Sequence, residues 1–530
     1  MYGFYSAFNA WTRAVSAQLE VAKALAEGFH AYNLDYLKPL LKSSAIFSKV
    51  EATRVKERTL WENYQSYLKL LAFNIDLTNR YAIGFLQVLD FYNQQELAKG
   101  VSAWFATFLD REGEKMDEFF IRQKEVLHQV LYEFPQAIKE IESEYGFHFE
   151  RQPESVSAET DRFILHRVKP NEPGVATNER MKPMIIIPPF VLGANILAFL
   201  PGEQKSYAHC FANKGIPTYI RIMKDIHRNT AVQKMSLEED CLDTKYFCEK
   251  VKERHGHPVT LNGYCQGGFS ALCNILTGEL DGLVDSLITC VAPMDGTRSK
   301  GLGSFLDDLP EQFNDLAYGT KTLGNGNKIA SGMLMGWVYK LKGIENSGPM
   351  VAFLRDMLML KGRDGHPAPI NKTVAALNYW LQNERTDIPL STTEMSYKSY
   401  NIPISADGTL PVSIFDRKLN FRGITEKKIT WLLCYGETDE LVEKEVALAP
   451  LDFIDGVEVT PFPKGHVAIA TSWSHPGTKY ALDSVFTLDS TLNFNTVYRA
   501  RNYDAEFGAG KYRGPVRFHL DLARQLGQTG

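Results

Sequence analysis

The residues best suited to chemistry form one pentapeptide, Gly263-Tyr264-Cys265-Gln266-Gly267. The apolar run VTLN before it reads as a strand, and GFSALCNILTGEL after it reads as a helix. The cysteine therefore falls at a sharp strand-to-helix turn, the setting of a nucleophile elbow with sulfur in place of oxygen. Backbone in such a turn is strained, and glycines on either side let the chain pass itself closely. A helix start also aims N–H dipoles at the sulfur, which suits a nucleophilic thiolate. No G-x-S-x-G occurs in the chain, so no serine competes for the role.

A thiol nucleophile needs a base, and the base needs an orienting acid. Downstream, the strand-like ITWLLCYG is followed by Glu437-Thr438-Asp439, and the strand-like VEVTPFP by Lys464-Gly465-His466-Val467. Loops at the carboxyl ends of those strands would carry Asp439 and His466 over Cys265. His466 is the expected general base, taking a proton from the thiol or from an attacking hydroxyl, while Asp439 orients the ring. Glu437 is the rival acid, nearer its strand end. His475 is the rival base, in a turn-rich loop that reads as surface. An oxyanion hole is expected from the backbone N–H of Gln266 and a second N–H after MIIIPPFV, from Val191 or its neighbour Phe190.

These residues need a scaffold, and the chain changes texture to provide one. From about residue 160, short β-rich runs (161–168, 184–191, 218–223, 259–264, 283–291, 429–436) alternate with helix-like ones. Several are apolar without alternation, as in strands buried on both faces of a parallel sheet. The pattern predicts an α/β domain over 156–500. Its Gly/Pro-rich, aromatic stretch at about 297–425 reads as a cap above the sheet's carboxyl edge, and 501–530 as a tail.

Residues 1–155 read as an all-helical N-terminal domain for association or surface binding. Leu60, Tyr64, Tyr67, Leu68 and Leu71 share one face there, expected either to pack within a bundle or to meet a partner or lipid-like body.

Composition narrows the function classes. Lys+Arg 58 against Asp+Glu 63 leaves a net charge of −5, without the basic surplus that nucleic-acid binding requires. Apolar runs are broken by charges before they could span a membrane. The start lacks the pattern of a signal peptide, and seven scattered cysteines suggest neither a disulfide framework nor a zinc site, so a reducing cytoplasm is expected. Cys241 and Cys248 read as core packing.

Together, Gly263-Tyr264-Cys265-Gln266-Gly267-Gly268, Gly436-Glu437-Thr438-Asp439 and Gly465-His466-Val467 resemble the poly(3-hydroxyalkanoate) synthases. IIPPFV before the elbow and LNYWLQNERTDIP in the cap add to the likeness, which spans roughly 160–500. The chain departs from the family after IIPPFV, where VLGANILAFLP keeps Ile196-Leu197 but loses the acid, and at RIMKDIHRN. The resemblance implies an α/β-hydrolase fold with a Cys/Asp/His triad, hydroxyacyl-CoA as substrate, and CoA and polyester as products, with no metal or further cofactor. Asp439 would then help activate the attacking hydroxyl. A homodimer, an accessory subunit and a polymer granule surface are the implied partners. A hydrolase of thioesters or polyester on the same scaffold, and a non-catalytic granule protein, are the competing readings.

Overall fold

The structure is a computed structural model that describes residues 2–109, 111–462, 464–471 and 474–476. The tail read at 501–530 lies outside the described residues. The chain divides into two units. One comprises Met1–Ser143, Leu309–Phe313 and Met333–Leu381, and is helical; the other comprises Glu144–Asp308, Asn314–Gly332 and the chain from Gln382 onward.

The helical unit is built on α1 (Tyr2–Arg54) and α2 (Leu60–Phe108), followed by α3 (Met116–His128). Thr59 starts α2 with a reciprocal cap: its side chain accepts from Glu62 N at 3.2 Å, and the Glu62 carboxylate accepts from Thr59 N at 2.8 Å. Helix α3 packs on α1, and the helix Pro349–Met359 packs on both α1 and α2. Of the stripe read from Leu60 to Leu71, Tyr67 packs its ring against Phe313 at 6.1 Å and the rest is left outward. Leu60 is 90% exposed, and Tyr64, Leu68 and Leu71 are exposed with it. Helix α2 instead buries Leu77, Gly84, Val88, Ala103 and Ala106, together with Asn63, Ser66 and Glu96. Small residues let a neighbouring helix approach closely, so the thinner stripe turns inward and the bulky one outward. Among the described residues, no helix is long and apolar enough to cross a membrane.

The second unit is organised by one eight-stranded sheet. Its strands are β1 (Val156–Glu159), β2 (Phe163–Val168), β3 (Met184–Ile187), β4 (Thr218–Met223), β5 (Val259–Tyr264), β6 (Val284–Cys290), β7 (Thr430–Gly436) and β8 (Val457–Phe462). Their order is β1-β2-β4-β3-β5-β6-β7-β8. Strand β2 runs antiparallel to both β1 and β4, and the remaining pairs are parallel. Every residue of β3, β5 and β8 is buried, as expected for strands covered on both faces. Strand β3 ends four residues before the run read from sequence, because Pro188 and Pro189 have no N–H for the ladder.

Two helices matter for the site. Helix α4 (Leu237–His255) buries Cys241 and Cys248, and its Asp240 pairs with buried Arg221 at 2.9 Å. Helix α5 (Gln266–Leu276) follows β5 directly.

The stretch 297–425, read as one cap, is divided between the units. Two of its helices, Ile344–Ser347 and Pro349–Met359, find their neighbours on α1 and α2, inside the helical unit. The sheet unit keeps α6 (Leu390–Asn401).

Candidate active site

Strand β5 delivers Cys265 to the carboxyl edge of the sheet, where the chain turns into α5. The turn has φ 51° and ψ −124° at Cys265, a conformation that costs a non-glycine residue roughly 1–3 kcal/mol. Its surroundings hold it there: Cys265 N donates to Cys290 O at 2.8 Å, and Cys265 O accepts from Gly268 N at 2.9 Å. The flanking glycines are required by close approach. A Cβ on Gly263 would lie 2.3 Å from Gly268 Cα, and one on Gly267 would lie 2.3 Å from Ile187 O. The sulfur-bearing residue is 6% exposed.

Asp439 and His466 arrive from the loops after β7 and β8. Asp439 Oδ2 lies 2.8 Å from His466 Nδ1. Its other oxygen accepts from Leu441 N at 2.8 Å and Val442 N at 2.9 Å, which fixes the carboxylate's orientation. The His466 side chain is 9% exposed and that of Asp439 is fully buried. Burial pushes the imidazole pKa down, but the charge of Asp439, the neighbouring Cys265 and the hydrogen bond to Asp439 outweigh it and raise it to about 10. Nε2 of His466 is buried and makes no well-aligned hydrogen bond, so Cys265 approaches it without the geometry of a closed contact.

Both rivals stand apart. Glu437 is exposed and meets β8 through its backbone, donating from N to Phe462 O at 2.7 Å. His475 is half-buried in a surface cavity with Asn171, Glu172 and Gln204. The backbone of Gln266 opens α5, where first-turn N–H groups have no intrahelical acceptor. The N–H of Val191 is engaged: it donates to Gln266 Oε1 at 3.2 Å. The Phe190 ring lies over buried Arg221, 5.8 Å from its guanidinium carbon.

Three side chains were missed from the sequence. The Tyr264 hydroxyl donates to His466 O at 2.6 Å, with its ring edge-on to the imidazole. Ser396 on α6 accepts from Gln266 Nε2 at 3.0 Å, and Tyr400, one turn on, donates to Leu441 O at 3.3 Å. Helix α6 thus reaches from the nucleophile turn to the acid's turn. Only the position of Tyr264 inside the elbow was a signal; Ser396 and Tyr400 sit in a segment whose spacing carries no chemistry.

Tyr264 is expected to act as a positioning residue. Tyr264→Phe leaves the part-buried His466 carbonyl without its donor, which should cost about 1 kcal/mol in denaturant unfolding. Turnover should fall about tenfold with KM unchanged, since the base is displaced while binding surfaces stay intact. An unchanged kcat in a folded variant would remove Tyr264 from this role.

The strand order, the antiparallel β2, the elbow after β5 and the acid and histidine after β7 and β8 define an α/β-hydrolase fold. No family model matches the chain, and no curated protein matches it. Similar solved structures include a carboxylesterase of the ammonia-oxidizing thaumarchaeon Nitrososphaera gargenis (12% identity, covering 59% of this chain and 92% of that one, TM-score 0.34). A lipase-esterase related protein from Clostridium acetobutylicum has 12% identity, 58% and 94% coverage and TM-score 0.32. A meta-cleavage product hydrolase from Pseudomonas fluorescens has 12% identity, 58% and 88% coverage and TM-score 0.30. At these scores the fold rests on strand order and the turn at Cys265.

Proposed function

We propose that the protein is a cysteine acyltransferase of the polyhydroxyalkanoate-synthase type, acting on hydroxyacyl-CoA thioesters. The observation that carries this reading is the buried Asp439–His466 pair beside a cysteine in a strained strand-to-helix turn. Cys265 Sγ forms a bond to the acyl carbon with its proton already on His466 Nε2, where the charge of Asp439 holds it. The carbonyl electrons move to oxygen, return, and expel the CoA sulfur, which takes the proton back from the imidazolium. One thioester has replaced another at little free-energy cost. His466 then accepts the proton of a hydroxyl whose oxygen attacks the acyl carbon, and the Cys265 thiol is restored.

An ester product requires that the second nucleophile be a hydroxyl rather than water. The low exposure of Cys265 and of the His466 side chain supports that outcome. Polyester chain, granule surface, and a second copy or accessory subunit are the partners that accompany this reading. The test is incubation with hydroxyacyl-CoAs of several chain lengths, following thiol release and weighing the product. Polymer mass rising in step with free CoA is the expected result. Free hydroxy acid without polymer would make the protein a thioesterase, and no thiol release from any chain length would overturn the assignment.

A further inference from the structure

We infer that the Gln266 side chain is a latch on the oxyanion hole, occupying the Val191 N–H until the acyl carbonyl displaces it. The inference rests on the reading of Cys265 as nucleophile and deepens it. Val191 is buried, so its N–H requires an acceptor whenever water is excluded. Gln266 Oε1 supplies one at 3.2 Å, and the other end of the amide is held by Ser396 Oγ at 3.0 Å. Ser396 spends its single proton on Thr392 O at 3.3 Å, so its oxygen can only accept from Gln266. The two ends therefore fix the amide in one orientation, oxygen toward Val191 and nitrogen toward α6.

A carboxamide oxygen on that N–H is a chemical stand-in for the carbonyl oxygen of a bound acyl group. Both are neutral acceptors, and both would sit beside the residue that follows the nucleophile. The substrate oxygen gains negative charge as Cys265 attacks, so it holds the N–H more strongly than the amide does. Exchange is then favoured for a reacting acyl group and disfavoured for a passing neutral molecule. The same side chain keeps the donor satisfied when the site is empty.

The test is single-turnover acylation of Cys265 by saturating hydroxybutyryl-CoA, read as the rate of thiol release and as the mass of the acylated protein. Gln266→Met keeps the volume and removes the acceptor; Ser396→Ala removes the anchor and keeps the latch. Loss of one hydrogen bond that must break before reaction should speed acylation about fivefold in Gln266→Met. Ser396→Ala should be about twofold faster. If the wild-type protein acylates and Gln266→Met is equal or slower while folded, the latch is wrong and the nucleophile stands. Should Gln266→Met fail to fold, Ser396→Ala decides alone: faster supports the latch, unchanged or slower overturns it. Absence of acylation in the wild-type protein would overturn the nucleophile assignment and the latch together.

Discussion

Replacing Cys265 by alanine is expected to reduce thiol release from hydroxyacyl-CoA by at least about 10⁴-fold, because no bond to the acyl group can then form. The informative companion is Cys273→Ala. Cys273 lies eight residues on in α5, is 0% exposed, and burial above all, with Asp240 and Cys241 adding to it, pushes its thiol pKa up; burial is the largest cause for Cys248 as well. Such a sulfur is a small apolar filler, and its removal should cost about 1 kcal/mol of stability through the space it leaves. Activity per folded molecule should be unchanged. Cys265→Ala, by contrast, should relieve a strained residue of nothing, since alanine adopts φ 51° no more readily than cysteine does. Equal loss of activity in both variants, with both folded by circular dichroism, would mean that the elbow does not carry the nucleophile.

How far the sequence reaches depends on the range of the interaction being read. Strands β4 and β5 were read with their observed bounds because each is a short apolar run closed by polar or glycine residues. Strand β1 was missed: its four residues, VSAE, are mostly exposed and pair only at the sheet's edge. Cys265, Asp439 and His466 could be singled out because strand–turn spacing is local, even though His466 and Asp439 lie 27 positions apart. The contacts that position them are not local. Tyr264 reaches His466 across 202 positions and Gln266 reaches Ser396 across 130, and no periodicity encodes such pairs. On α2 the open choice has another cause. Periodicity detects that a bulky stripe exists, but which of two stripes is covered depends on neighbours within the helical unit, and these include the distant helix Pro349–Met359.

Asp439→Asn tests the electrostatics of the pair and is expected to lower turnover by about 10³-fold, somewhat less than the loss in a hydrolase triad whose acid is amidated. Asparagine cannot satisfy the site in either orientation. With its oxygen toward His466 Nδ1, its NH₂ faces the N–H groups of Leu441 and Val442, which are left with no acceptor and repel it. With its NH₂ toward Nδ1, the imidazole must carry its proton on Nε2, the atom required to receive one from Cys265. The variant also removes the charge that raises the His466 pKa, and this has a sign that can be checked. In the wild-type protein the folded value, about 10, lies above the unfolded value near ~6.5. The stabilisation from the protonated pair is therefore complete below pH ~6.5 and is lost as pH rises through about 10. Thermal melts of both proteins between pH ~6 and ~10.5 should show the wild-type advantage shrinking across that window. A gap in Tm that stays constant, or widens with pH, would mean that His466 is not held protonated by Asp439.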